Sequence, residues 1–375
     1  MKKVVIAIDS FKGCLSSAAA GKAAAEGIRS VYPECEVICL PIADGGEGML
    51  DVLIMATNGQ EVPISAHDPL MRWCNTYYGI SENGETAFIE MASISGLPLV
   101  PPEKRNPMLT TSYGTGELIR DALERGCRNF IIGIGGSATN DAGLGMLQAL
   151  GFRFSDKEGK KVGTGCGEVL IKVAHIDSTF VHPALNSCRF TVACDVQNPF
   201  YGPEGAAYVF APQKGADREM VEALDAGLQN FAEVIRHTTG KAISHHPGAG
   251  AAGGMGGSLL AFLNAELKPG IQLMLEALDF SNKIKSADLI ITGEGKADRQ
   301  TLMGKVPSGI LAEARKQNIP VILLAGNIED SDELQQAGFE GVFSVNPPFI
   351  SLEEAMRPEV ARKNIQQTVE SICKK

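Results

Sequence analysis

The chain has 375 residues, 44% of them hydrophobic and 21% charged, enough for about two to three domains with buried cores. Lysine and arginine total 34 against 44 aspartates and glutamates, a formal net charge of −10. That balance argues against nucleic acid, which needs a basic face, but leaves room for an anionic small molecule held by a few local donors. No apolar run approaches the roughly 20 residues that span a bilayer, and Val4–Ile8 is cut off by Asp9, too early for a signal-peptide core.

In chain order, KKVVIAID reads as a strand, SSAAAGKAAAEGIRSVY as a helix and CEVICLPIAD as a second strand. GGEGMLDVLIMATNG then opens a second helix on a glycine-rich turn. VPISA, RWCNTYYGI and ETAFIEM, with an Asn83-Gly84 turn signal, predict an antiparallel portion. A helix follows around Thr115–Arg125, then the strand NFIIGIGG and a helix from about Asp141 to Leu150. The glycine-rich stretch Pro247–Gly257 leads straight into SLLAFLNAEL and reads as a loop opening a helix rather than a tether. ADLIITGEGKAD, SGILAEARKQN, IPVILLAG and GVFSVNPP return to alternating strands and helices. The expected architecture is α/β: residues 1–60 and 285–375 form a discontinuous Rossmann/flavodoxin-like parallel-sheet domain, and residues 61–284 form an inserted mixed α/β domain. The nine cysteines are scattered without a C-x-x-C pair, which suits reduced thiols in a cytoplasmic protein.

Five segments share one design, a strand-like run followed by a turn of Gly, Asp, Ser or Lys and then a helix. In open α/β sheets such turns lie at the carboxyl ends of strands, where ligands bind. In Asp9-Ser10-Phe11-Lys12 the aspartate is suited to a metal or a proton and Lys12 to a phosphate, although helix capping also accounts for Asp9 and Ser10. Asp44-Gly45-Gly46-Glu47-Gly48 sets two carboxylates beside three glycines. Capping explains either acid singly but not the glycines. The densest segment is Gly133–Gly143. There the backbone around Gly135 and Gly136 and the hydroxyls of Ser137 and Thr139 make a phosphate cradle, with Asn140 beside them and Asp141 suited to Mg²⁺ or to positioning a hydroxyl. In Cys194-Asp195-Val196-Gln197-Asn198-Pro199, Asp195 suits metal coordination or proton abstraction, and an Asx turn before Pro199 is the bland alternative. Glu294-Gly295-Lys296-Ala297-Asp298 places two carboxylates and a lysine around a glycine.

There is no P-loop, protein-kinase signature or nucleophile elbow, and the six histidines form no metal or catalytic pattern. Gly133, Gly135 and Ala138 also fit the dinucleotide fingerprint, with Asp156 at about the distance of a ribose-binding acid. The motif, however, is not in the first βα unit. Glycine-rich cradles, acids and isolated lysines together favour phosphoryl transfer, which needs charge neutralisation and positioning more than covalent catalysis.

The ordered blocks IAIDSFKGCLSS, PIADGGEGMLDVL, TSYGTGELI, IIGIGGSATNDAGLGMLQALG, ACDVQNPFYGPEGAAYVFAPQKGA, GAGAAGGMGGSLLAFL and ITGEGKADRQTLMGKVPSGI resemble the type-1 glycerate kinase family nearly end to end. The resemblance implies an enzyme that phosphorylates glycerate with ATP and Mg²⁺, usually to 2-phosphoglycerate, on a two-domain α/β scaffold. Two departures stand out: Ile8 where the family's first block often has proline, and Lys296 where arginine is frequent, a change that loses a bidentate donor.

Our placement on that frame is an interdomain cleft with in-line transfer. Gly135, Gly136, Ser137, Thr139, Asn140 and Asp141 are expected at the nucleotide phosphates. Asp9, Ser10, Asp44, Gly45, Gly46, Glu47 and Glu294 are expected at the substrate. Asp195 is the first candidate for Mg²⁺ or the general base, Asp298 the second, and Lys12 and Lys296 neutralise the substrate carboxylate or the γ-phosphate. Expected partners are glycerate and ATP alone, with no nucleic acid or membrane, in a monomer or homodimer. The rivals are an NAD(P)-dependent oxidoreductase using the Gly133–Ala138 fingerprint and a non-catalytic ligand-binding sensor.

Overall fold

The computed structural model describes residues 1–46 and 48–374, and the chain divides into two compact units, Met1–Asp44 with Ile271–Lys375, and Gly45–Gly270. Both junctions fall earlier than 60/61 and 284/285. The helix Met49–Ala56 packs on the strands Trp73–Ile80 and Thr86–Glu90, so it goes with the middle of the chain. Downstream, Ile271 seats its side chain where Gly309 of the helix Val306–Arg315 leaves no Cβ, tying that segment to the terminal unit.

The first unit is a five-stranded sheet in the order Gly341–Ser344, Val321–Ile328, Leu289–Ala297, Lys3–Ile8, Glu36–Cys39, with every pair parallel. Numbered within the unit this is 2-1-3-4-5, the flavodoxin-like order, whose switch point lies between Lys3–Ile8 and Leu289–Ala297. The three central strands carry unbroken apolar runs, Val4–Ile8, Leu289–Ile291 and Val321–Leu324, because both faces are covered there. Val4, Ile6, Ile8, Leu289 and Ile291 join one core with the helices Ser17–Val31 and Pro358–Cys373. The alternate residues turn to the other face, and the helix Val306–Arg315 packs on the same strands with Ile310 and Ala314 buried. The alanine-rich face of Ser17–Val31 permits a close helix crossing. A Cβ at Gly27 would stand 2.5 Å from the Gln366 carbonyl oxygen.

The second unit carries a six-stranded mixed sheet in the order Glu266–Lys268, Arg189–Ala193, Asn129–Gly133, Thr86–Glu90, Trp73–Ile80, Gln60–His67. The last three strands are antiparallel neighbours, as the alternating segments and the Asn83-Gly84 turn predict, and the other pairings are parallel. Phe130 and Phe190 stack across adjacent strands with centroids 4.7 Å apart. The glycine-rich stretch does open a helix, Ala251–Phe262, whose first turn carries a left-handed kink at Ala252, Gly253 and Gly254. Gly253 has φ +68° and lies so close to Thr139 that a Cβ would meet its carbonyl oxygen at 2.2 Å. All nine cysteines are free thiols. Among the described residues no helix is long and apolar enough to cross a membrane.

Candidate functional site

At the switch point of the first unit, Asp9 follows its strand directly and its backbone N–H bonds the Gly293 carbonyl of the neighbouring strand. Its side chain is buried, and desolvation, reinforced by the charges of Asp44 and Glu294, pushes its pKa up to about 7 despite a hydrogen bond from the Ser10 N–H and the nearby Lys12. Glu294 is also buried and its pKa is raised by desolvation, with Thr301 and Lys305 opposing. Lys305 Nζ lies 3.6 Å from Glu294 Oε2, whereas Glu294 Oε1 and the Thr292 hydroxyl are buried with no protein partner. The structure thus gathers Asp9, Asp44 and Glu294 into one field of negative charge, with two orphaned oxygens close by in sequence on one strand.

Because folding raises the pKa of Asp9 from its ordinary value of 3.8 to about 7, the sign of its contribution is fixed. The folded state loses stability relative to the unfolded chain as pH rises through that interval, and the loss is constant above it. Replacing Asp9 with Asn should therefore raise the unfolding free energy at pH 8, by an amount capped at ~4 kcal/mol. The gain should shrink toward pH 4, as measured by urea unfolding across the range. Parallel pH profiles for the two proteins would refute the burial argument.

Two expected residues of this unit take other roles. Asp298 caps the short helix Arg299–Leu302 in a reciprocal capping box with Thr301. Burial works against its charge, but the Gln300 N–H, Lys305 and Lys296 outweigh that and hold its carboxyl below the usual range, which makes it a weak proton acceptor. Lys296 stands between Glu329 at 2.9 Å and Asp298 at 3.5 Å, so its charge is already matched by two protein carboxylates. Lys12 is exposed.

The second unit holds a cavity of about 310 Å³ at the carboxyl ends of the strands Asn129–Gly133 and Arg189–Ala193. Gly45, Gly46, Gly135, Gly136, Ser137 and Asp195 line it. Gly45, with φ +90°, has a structural reason for being glycine, since a Cβ would fall 2.4 Å from Gly270 Cα. Glu47 lies outside the described residues. Among the described residues the N–H groups of Gly135 and Gly136 donate to no protein acceptor. Asp195 brings a carboxylate to the wall and accepts from the Gly270 N–H at 2.8 Å.

Thr139, Asn140 and Asp141 are fully buried behind that wall. Asp141, expected at Mg²⁺ or a hydroxyl, instead accepts from the Ser112 N–H and hydroxyl and from the N–H groups of Gly143 and Gly145. Burial raises its pKa and these four donors pull it back. It anchors the loop. Both polar atoms of the Asn140 side chain and the Thr139 hydroxyl are buried without a protein partner.

The structure adds one residue the motifs missed. Lys214, 2% exposed, lines the cavity and donates at 2.7 Å both to the Ser137 hydroxyl and to the Thr139 carbonyl. In sequence it is a lone lysine in APQKGA, where nothing distinguishes it from a surface residue. The dinucleotide reading fails on the same loop. Ala138 N–H bonds the Ser95 carbonyl and the helix begins only at Leu144, so no helix N-terminus meets a pyrophosphate at Gly135. Asp156 closes a tight turn, its carboxylate accepting from Glu158 and Lys160.

The fold is α/β, with acids at a parallel-sheet switch point in one unit and a cavity lined by glycines and Lys214 in the other. The chain belongs to the glycerate kinase family, which it matches over residues 4–375. It is 46% identical over 372 residues to a glycerate kinase of Bacillus subtilis, covering 99% of this chain and 97% of that one. It is 48% identical over 356 residues to a glycerate 2-kinase of Escherichia coli, covering 95% and 93%. Among solved structures, a putative glycerate kinase 2 from Salmonella typhimurium superposes with a TM-score of 0.91 at 44% identity, covering 100% of this chain and 97% of that one.

Proposed function

We propose that the protein phosphorylates D-glycerate with ATP and Mg²⁺, giving 2-phosphoglycerate and ADP. The observation that carries the site assignment is the pair of unpartnered N–H groups at Gly135 and Gly136 on a cavity wall, the arrangement that cradles phosphate oxygens. The 2-position is favoured by the 48% identity to a relative named for that regiochemistry. In this reading the second unit takes the nucleotide phosphates. The first unit's Asp9, Ser10, Asp44 and Glu294 bind and orient glycerate, with Lys305 beside Glu294 tempering the negative field. Asp9, its carboxyl poised near neutrality by burial, takes the proton of the attacking hydroxyl, since a base is most effective with a pKa near the working pH.

Mg²⁺ needs only one or two protein carboxylates when phosphates complete its shell, and Asp195 on the cavity wall fits that requirement. Bound there, the ion supplies charge neutralisation on the transferring phosphoryl oxygens. The protein is proposed to work in the cytoplasm, where ATP and small hydroxy acids are available.

The test is direct. Purified protein is incubated with ATP, Mg²⁺ and D-glycerate while ADP release is followed and the product is identified by ³¹P NMR. A 2-phosphoglycerate resonance is expected. A 3-phosphoglycerate resonance would overturn the regiochemistry, and no ADP above the glycerate-free rate with either enantiomer would overturn the activity.

A further inference from the structure

Lys214 is a lysine held almost wholly out of solvent on the wall of a polar cavity. Its ammonium has three N–H donors. Two are committed, to the Ser137 hydroxyl and the Thr139 carbonyl, both at 2.7 Å. The acceptors are neutral, so neither compensates the charge. Among the described residues the carboxylate that acts on it is Asp141, and that carboxylate is already engaged by four donors of its own loop. Burial pushes the lysine down to about 7, with Asp141 opposing, as expected of a cation lacking a dedicated counter-ion. The residues that line the cavity with it include Gly135 and Gly136, whose N–H groups also lack acceptors. A buried ammonium and two exposed glycines whose N–H groups carry no protein acceptor, lining one cavity, suit an anion with several oxygens.

We propose that Lys214 is a phosphate-binding residue, its third N–H joining those of Gly135 and Gly136 to hold the terminal phosphates of the bound nucleotide. This rests on the assignment of the nucleotide to the second unit and deepens it. The loop is built for the task. Behind the loop, the chain at Gly253 comes so close to Thr139 that a Cβ there would clash with its carbonyl oxygen, and the Asp141 anchor fixes the loop's far end. A phosphate bound there meets an amine already positioned and desolvated, so the contact forms without the cost of immobilising a flexible lysine.

The alternative is that Lys214 merely pins the loop, and a third possibility is that it meets the carboxylate of glycerate. Three ligands separate these, ADP, adenosine and glycerate, titrated calorimetrically against the full-length protein and its Lys214→Met and Gly135→Val variants. The Gly135 position tolerates a Cβ, which would meet only Gly46 Cα, at 4.0 Å, so that variant perturbs the cavity rather than the fold. Loss of one charge-assisted contact predicts about 10- to 100-fold weaker ADP binding for Lys214→Met, with adenosine binding unchanged within about threefold.

Equal weakening of ADP and adenosine would overturn the proposal in favour of a pinning role. Weakened glycerate binding with ADP intact would overturn it in favour of the substrate carboxylate. If Gly135→Val weakens ADP and Lys214→Met does not, the lysine assignment falls and the nucleotide site stands. If neither does, both fall. Should the Met variant not fold, Lys214→Gln, whose amide retains a donor for the Thr139 carbonyl, is read by the same outcomes.

Discussion

Replacing Asp195 with Asn is expected to lower kcat by a factor of about 10² or more with little change in thermal stability. The reason lies in what the substitution keeps. Asp195 Oδ1 accepts from the Gly270 N–H at 2.8 Å, and an asparagine carbonyl oxygen can accept the same bond, so the turn after the strand Arg189–Ala193 retains its support. What is lost is the negative charge on the cavity wall, the property a divalent cation at the phosphates depends on. Steady-state kinetics at saturating ATP and glycerate, paired with a melting curve, decide the matter. Turnover within a few-fold of wild type, in a variant that melts normally, would remove Asp195 from the proposed metal site.

The second large effect is on stability. Asp141→Ala removes a fully buried carboxylate and strands four donors, the N–H and hydroxyl of Ser112 and the N–H groups of Gly143 and Gly145. Each unsatisfied buried donor costs about 1–3 kcal/mol, and such costs are not additive. A total loss of about 3–5 kcal/mol is expected, measured by urea unfolding at neutral pH. Any folded fraction should also bind ADP weakly, because Lys214 loses the Asp141 carboxylate that supports its charge. An unchanged unfolding midpoint would mean that the loop relaxes to let water reach these donors.

The two variants separate residues that look alike as letters. Asp141 and Asp195 are both acids in turns after apolar strands, and both are candidates for Mg²⁺ on chemistry alone. Burial divides them. Asp141 is enclosed by its own loop, whereas Asp195 is exposed and lines the cavity. A similar division falls within the Asp44–Gly48 turn. Asp44 belongs to the first unit and adds to the field that raises Asp9, while Gly45 and Gly46 belong to the second unit and line its cavity.

Much of this protein was legible in its sequence, for identifiable reasons. Continuous apolar runs such as Val4–Ile8 and Leu289–Ile291 announce strands covered on both faces, and alternation in residues 60–90 announces the antiparallel part of the mixed sheet. The motif blocks, in order along the chain, point to the glycerate kinase family. Asp298, expected at Mg²⁺ or as the base, is instead seen in the structure as the cap of Arg299–Leu302. What the tertiary structure alone decided are properties of burial and proximity. These are the placement of the helix Met49–Ala56 with the middle unit, the enclosure of Asp141, the field around Asp9 and the cationic floor at Lys214. Such properties depend on residues far apart in the chain meeting one another. Lys214 meets Ser137 and Thr139 across more than seventy positions. Local composition encodes which elements form, but a pKa or an unpaired donor arises only when distant elements close around a side chain and remove its water.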